Sequence, residues 1–145
     1  MRKDSRLSRM LHVLIHMQQF GEPVTSETLA AMLSTNPVVV RRTMRSLKEQ
    51  GYVHSVKGHG GGWTLTVPLS SITLLDIYRA LGESTMFTIG LTDEHSRCPI
   101  EKAVNNALGD VLAEAEKLVI ERFENVALDA LAEEFSNHHV EQCRQ

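Results

Sequence analysis

The chain has 145 residues, of which 42% are hydrophobic and only 5% aromatic, enough for one domain with an aliphatic core or a small domain plus an extension, and too apolar to be disordered. No apolar run reaches the ~18–20 residues of a membrane span, and two distant cysteines, Cys98 and Cys143, make no disulfide framework, so a reducing cytoplasm is the expected compartment. The net charge of −3 argues at first against a nucleic-acid partner, but residues 1–66 hold nine Lys/Arg against four Asp/Glu, and residues 67–145 hold six against fourteen.

The N-terminus, MRKDSRLSRM, is basic and lacks the uninterrupted apolar stretch of a secretory signal. Leu7, Met10, Leu11, Leu14 and Met17 then share one face at helical spacing, which predicts a helix over 5–20 that Gly21 and Pro23 stop. Thr25 is a good N-cap for a short helix over 26–33 with Leu29, Ala30 and Leu33 inward, although Thr28 is not the acidic partner of a full capping box. Ser34-Thr35-Asn36 reads as a turn, with Asn36 capping the next helix and Pro37 in its first turn, where no backbone donor is missed. That helix runs to about Gln50. Val40, Met44 and Leu47 form its buried stripe, Arg41, Arg42, Arg45 and Lys48 its polar face, and Gly51 its stop.

Residues 52–56 and 63–67 read as the two strands of a hairpin. Between them, Lys57-Gly58-His59-Gly60-Gly61-Gly62 predicts a mobile loop whose backbone can approach another molecule closely. Thr73 caps the next helix, Asp76 completes an acidic variant of the capping box, Ile72 and Ile77 form the hydrophobic staple, and Gly82 ends it. Residues 83–97 look irregular. Pro99 opens the longest helix, to about Phe123, with Val104, Leu108, Val111, Ala115 and Leu118 at alternating steps of four and three. This seam is too short for an extended coiled coil but sufficient for a dimer contact. A last short helix is expected over 126–135 with Leu128, Leu131 and Phe135 inward, followed by a polar, frayed tail. The organisation that follows is a DNA-binding domain over 1–82, an effector or sensor loop over 83–98, a dimerisation helix and short C-terminal helix over 99–136, and a flexible tail over 137–145.

The order helix, helix, turn, basic helix, glycine-tipped hairpin describes a winged helix–turn–helix, so the expected fold is mainly α with a small β-hairpin wing and a long dimerisation helix. A helix fits the major groove, where arginines pair with guanine or grip phosphate. The candidate DNA contacts are Val38 and Val39 toward thymine methyls, Arg41, Arg42, Arg45 and Lys48 on the same helix, and Lys57, Gly58, His59, Gly60 and Gly61 in the wing. Arg2, Lys3, Arg6 and Arg9 can add phosphate contacts. An isolated basic triplet would read as a solvated helix face; its union with the turn, the wing and the basic N-terminus points to double-stranded DNA.

Other chemistries lack their partners. His59-Gly60-Gly61-Gly62 resembles the oxyanion loop of esterases, but no G-x-S-x-G elbow accompanies it, and no phosphate loop is present. His12 and His16 share a helix face, and His138, His139 and Cys143 cluster near the end, yet neither set supplies four ligands, and no metal site or catalytic residue is assigned. Cys98 stands beside Arg97 at the start of the long helix, where a helix N-terminus and a cation both favour the thiolate. It is a candidate redox sensor, weighed against the plainer role of a small capping residue.

Two stretches, VTSETLAAMLSTNPVVVRRTMRSLKEQGYVHSVKGHGGGWTLTVPLSSITLLDIYRALGE and CPIEKAVNNALGDVLAEAEKLVIERFENVALDAL, together cover most of the chain. Their join of recognition helix, K-G-x-G-G-G-W wing and I-T-L-x-D-I helix resembles the Rrf-two family of bacterial transcriptional regulators. The resemblance implies a homodimer on a palindromic operator, with the helix over 37–48 in the major groove, the wing over 57–62 at the flanking minor groove, and the long helices crossing at the interface. Cluster-binding members look to three cysteines in the loop before the long helix. Here that loop holds Cys98 alone, with His95 and Glu94 as further donors, whereas a 2Fe–2S cluster needs about four protein ligands. The chain is therefore placed in the cluster-free branch, without a cofactor. NPVVVRR also departs from the serine–proline–x–tyrosine start of many members. The resulting expectation is a non-enzymatic, sequence-specific DNA-binding regulator acting as a repressor; the alternative is an iron–sulfur or thiol-based redox regulator using Cys98.

Overall fold

The computed structural model describes residues 4–82, 86–87, 91 and 97–134. Three helices open the chain, α1 (Arg6–Phe20), α2 (Ser26–Met32) and α3 (Pro37–Glu49), with α2 ending one residue before the expected Leu33, which is its C-cap. Gly21 takes a left-handed conformation (φ 63°) after α1, and the Thr25 hydroxyl accepts the Thr28 backbone N–H at the head of α2. The Asn36 side chain accepts the Val39 N–H at 3.0 Å at the head of α3. The start of α1 is less conventional: the Asp4 carboxylate accepts the Arg6 backbone N–H, and the Ser5 side chain makes no cap.

The hairpin consists of β1 (Val53–Val56) and β2 (Gly62–Leu65), antiparallel, with Ser55 opposite Trp63 and Val56 opposite Gly62. It begins one residue later than expected, because Tyr52 is taken up by the turn out of α3, donating its N–H to the Leu47 carbonyl, and it ends at Leu65, two residues short of the expected Val67. Val24, between α1 and α2, exchanges both backbone hydrogen bonds with Trp63, at 3.0 and 2.8 Å, and so adds a one-residue third rung to the wing.

A short 3-10 turn, Leu69–Ser71, leads into α4 (Leu74–Ala80), whose capping box is complete: the Asp76 N–H donates to Thr73, and the Thr73 N–H donates to the Asp76 carboxylate. The staple residues Ile72 and Ile77 are both fully buried. α5 (Pro99–Glu124) is 26 residues long, about 39 Å at the helical rise, and no residue of it is buried in the single chain. Its C-terminal end is held to α4 by an edge-on contact of Phe123 with Tyr78, ring centroids 6.0 Å apart.

One core runs through the N-terminal helices and the hairpin, built from Met10, Val13, Leu14, Leu29, Val40, Met44, Leu47 and Val53 among others. It is aliphatic, as the low aromatic content implied. The chain also returns to it after α5. Leu74 and Leu128 donate their N–H groups to Val126 and Ile72, both at 2.9 Å, and residues 128–134, here α6, put Leu128 and Ala132 into the same core. The sequence division grouped this short helix with the dimer segment; its buried residues belong to the core of the winged module. Leu131 packs at the edge, and Phe135 lies outside the described residues, as do Arg2, Lys3, His138, His139 and Cys143.

Candidate nucleic-acid interface

α3 sorts its side chains by the helical period. Val40, Thr43, Met44 and Leu47 go inward, and Val38, Arg41, Arg42, Arg45 and Lys48 go to solvent. The inward residues have no charge and the outward ones carry four cations, so the burial that fixes the helix also displays the basic face. The two valines separate. Val38 is 60% exposed and projects with the arginines, whereas Val39 is half-buried and lines a groove between α3 and the start of α1. That groove, about 610 Å³, is bordered by Ser5, Arg6 and Arg9 on one side and Arg42 and Ser46 on the other. It joins the expected phosphate contacts of α1 to the flank of the basic helix. Within it, the Arg6 guanidinium holds the Asp4 carboxyl down to about 2 through hydrogen bonds of 2.7–3.0 Å.

Arg42, Arg45 and Lys48 form no ion pair among the described residues, which leaves their charges available to a ligand. Arg41 differs: its Nη2 donates to the Glu27 carboxylate of α2 at 2.7 Å. Sequence reading did not single out Glu27, because a pair 14 residues apart on two helices carries no local signal.

The wing follows α3 directly through Gly51 (φ 82°) and presents Lys57, Gly58, His59 and Gly60 to solvent, with Gly61 half-buried. Its glycines answer to two different demands. Gly58 and Gly60 have φ of 93° and 74° with open space around them, and the Gly61 N–H donates to the Gly58 carbonyl to close the turn. Gly61 and Gly62 are required by close packing: a Cβ on Gly61 would lie 2.3 Å from the Val56 oxygen, and one on Gly62 would lie 2.6 Å from the Val24 oxygen. The wing is also pinned at its base, where the Trp63 indole N–H donates to the Ser26 hydroxyl at 3.0 Å. Ser26, Trp63 and Val24 thus anchor the wing, a joint that the sequence alone did not reveal. Their only signal was a lone tryptophan after a glycine run.

Outside this region, Cys98 is exposed at the N-cap of α5, and the backbone amides of Glu101 and Ile100 draw its thiol below the ordinary range. The cause is the helix terminus, not the Arg97 cation. His12 and His16 do share a face, rings 5.9 Å apart, but among the described residues no group of three or more His, Cys, Asp and Glu lies together. Most of the loop between α4 and α5, including His95 and Glu94, is outside the described residues. Among the described residues no helix is long and apolar enough to cross a membrane. α5 exposes Ile100, Val104, Leu108, Val111 and Leu118 along one stripe.

Comparison with known proteins agrees with this geometry. A family model described as "Rrf2: Iron-dependent Transcriptional regulator" matches residues 4–134. YwnA of Bacillus subtilis, named as an HTH-type transcriptional regulator, is 31% identical over 114 residues, 79% of this chain and 84% of that protein. A solved structure from Lactobacillus plantarum, titled as that of a transcriptional regulator, superposes with a TM-score of 0.78 at 22% identity, covering 97% of this chain and 99% of that one. CymR of B. subtilis, described as the global cysteine regulator, superposes at 0.64 with 18% identity, covering 92% and 97%. At these identities the two structures speak to the fold alone.

Proposed function

The chain belongs to the Rrf2 family of transcriptional regulators, and from that premise we propose that it represses transcription as a homodimer on a palindromic operator. The observation that supports the DNA contact is the outward face of α3, where Arg42, Arg45 and Lys48 stand unpaired among the described residues beside the exposed methyls of Val38. In this reading α3 enters the major groove, with Val38, Arg41 and Arg45 at base edges, Val39 and Arg42 toward the groove shared with α1, and Lys48 on the backbone. Lys57, Gly58, His59, Gly60 and Gly61 of the wing reach the flanking minor groove, and Arg9 grips phosphate; Arg6 does so only on leaving Asp4.

The α5 stripe supplies the dimer contact, since five exposed large aliphatics along one helix form a surface that a second copy buries. Two recognition helices must then sit ~34 Å apart on one face of the duplex. The residues between α4 and α5 link the DNA module to the dimer helix and are the natural place for a signal to alter that spacing. The protein is read as having no catalytic role.

The iron of the family description finds a poor donor set here. The sequence has two cysteines, one of them in the loop, where a 2Fe–2S centre asks for about four protein ligands. We place the chain in the cluster-free branch; iron content and a visible spectrum of anaerobically purified protein test this, and a stoichiometric chromophore would reverse it. Cys98 supports one second reading, a thiol-based sensor, because it is exposed and its thiolate is favoured by the α5 terminus. Equal operator release by wild-type and Cys98→Ser protein under peroxide would end that reading. The main test is duplex binding against salt: phosphate contacts make affinity fall steeply with salt, and a flat response would defeat the DNA reading.

A further inference from the structure

Glu27 is an unexpected residue in the first turn of α2. In a helix–turn–helix the helix before the recognition helix crosses the DNA backbone, so a carboxylate there faces phosphates of like charge. It is not a spare surface acid, because it holds the Nη2 of Arg41 at 2.7 Å. Its backbone is held by the residues just before it. Thr25 caps α2, Ser26 accepts the Trp63 indole, and Val24 is bridged to Trp63 by two backbone hydrogen bonds. Residues 24–27 are therefore the junction at which the wing and the recognition helix are both tied to α2.

We propose that Glu27 is a specificity-determining positioning residue, holding the Arg41 guanidinium so that it is committed to a base edge and withheld from the nearest phosphate. This rests on the DNA-binding reading above. An arginine has five N–H donors in a rigid plane. With one corner anchored on Glu27, the remaining donors are available to a guanine O6/N7 edge without breaking the ion pair. To reach a phosphate instead, Arg41 must leave Glu27 and abandon a carboxylate among phosphates. The pair thus penalises non-specific complexes more than the specific one, which is how discrimination arises from a repulsive element. Both side chains are more than half exposed, so the pair contributes little to folding and its effect falls on binding.

The test uses the full-length protein and two duplexes at one salt concentration: the duplex that wild-type protein recovers from a randomised library, and a scrambled duplex of the same composition. Glu27→Gln is expected to bind the scrambled duplex more tightly and to lower the selected-to-scrambled affinity ratio about fivefold, with an unchanged Tm. Glu27→Asp, which keeps the charge and withdraws it by one methylene, lowers the ratio as well. In an Arg41→Ala background, Glu27→Gln leaves the ratio where it stands. Equal tightening on both duplexes, a wild-type ratio in Glu27→Asp, or a shift that persists without Arg41 would each overturn the proposal while leaving DNA binding intact. If wild-type protein recovers no preferred duplex and binds random duplex without salt dependence, the DNA reading fails and this inference fails with it.

Discussion

Replacing Gly62 by alanine separates a glycine needed for packing from one needed only for backbone conformation. At Gly62 the added Cβ would meet the O, C and N of Val24 at 2.6, 2.7 and 2.9 Å, on a backbone with φ of 152°. These are main-chain atoms, so relief requires β2 to move away from Val24. That movement breaks the two Val24–Trp63 hydrogen bonds and loosens the Trp63–Ser26 bond. At about 1 kcal/mol for each of two or three bonds, plus roughly 1 kcal/mol for an unfavourable φ, Gly62→Ala should cost about 3–4 kcal/mol. Gly60→Ala meets nothing within 4 Å and carries only the cost of its φ of 74°, about 1–2 kcal/mol. The assay is urea unfolding at fixed protein concentration, followed by the fluorescence of Trp63, the chain's single tryptophan, which sits at the affected joint. Equal losses for the two variants, or a Gly62→Ala loss under 1 kcal/mol, would refute the idea that Val24 clamps the wing.

Four further outcomes are expected. Arg45→Ala should weaken operator binding by about 1–3 kcal/mol and relax base preference at one position; unchanged affinity in a fluorescence anisotropy titration removes Arg45 from the interface. Leu108→Glu with Val111→Glu charges the exposed α5 stripe and should give a folded monomer, which light scattering that still reports a dimer would contradict. Leu128→Ala should destabilise the protein by about 3 kcal/mol, since Leu128 is fully buried; a loss within 0.5 kcal/mol would detach α6 from the core. Asp4 should titrate near pH 2 by carboxyl NMR and return toward the ordinary carboxylate range in Arg6→Gln. Because its folded pKa is depressed, its stabilising contribution is present above the ordinary carboxylate range and is lost as pH falls toward 2, so a wild-type midpoint near pH 4 would refute the Arg6 contact.

Much of the fold was legible because its elements are locally determined. Thr25, Asn36 and Thr73 each satisfy a backbone donor three residues away, and the stripes on α1 and α3 repeat within a few turns, so the helices and the basic face could be read from neighbouring residues. The order of those elements with the glycine-tipped hairpin was also enough to indicate a winged helix–turn–helix. What sequence could not convey was which distant residues meet. The Glu27–Arg41 pair, the Trp63–Ser26 bond and the Val24 rung each join segments separated by at least 14 positions, with no periodicity to mark them. The α6 helix looked like an extension of the dimer segment because it follows α5 in the chain, yet Leu128 fills the core built by α1, α2 and α3. Local hydrogen bonding and hydrophobic period thus set the parts and the charged face from sequence. The packing of non-adjacent segments set how the wing is anchored, how Arg41 is held, and which residues close the core.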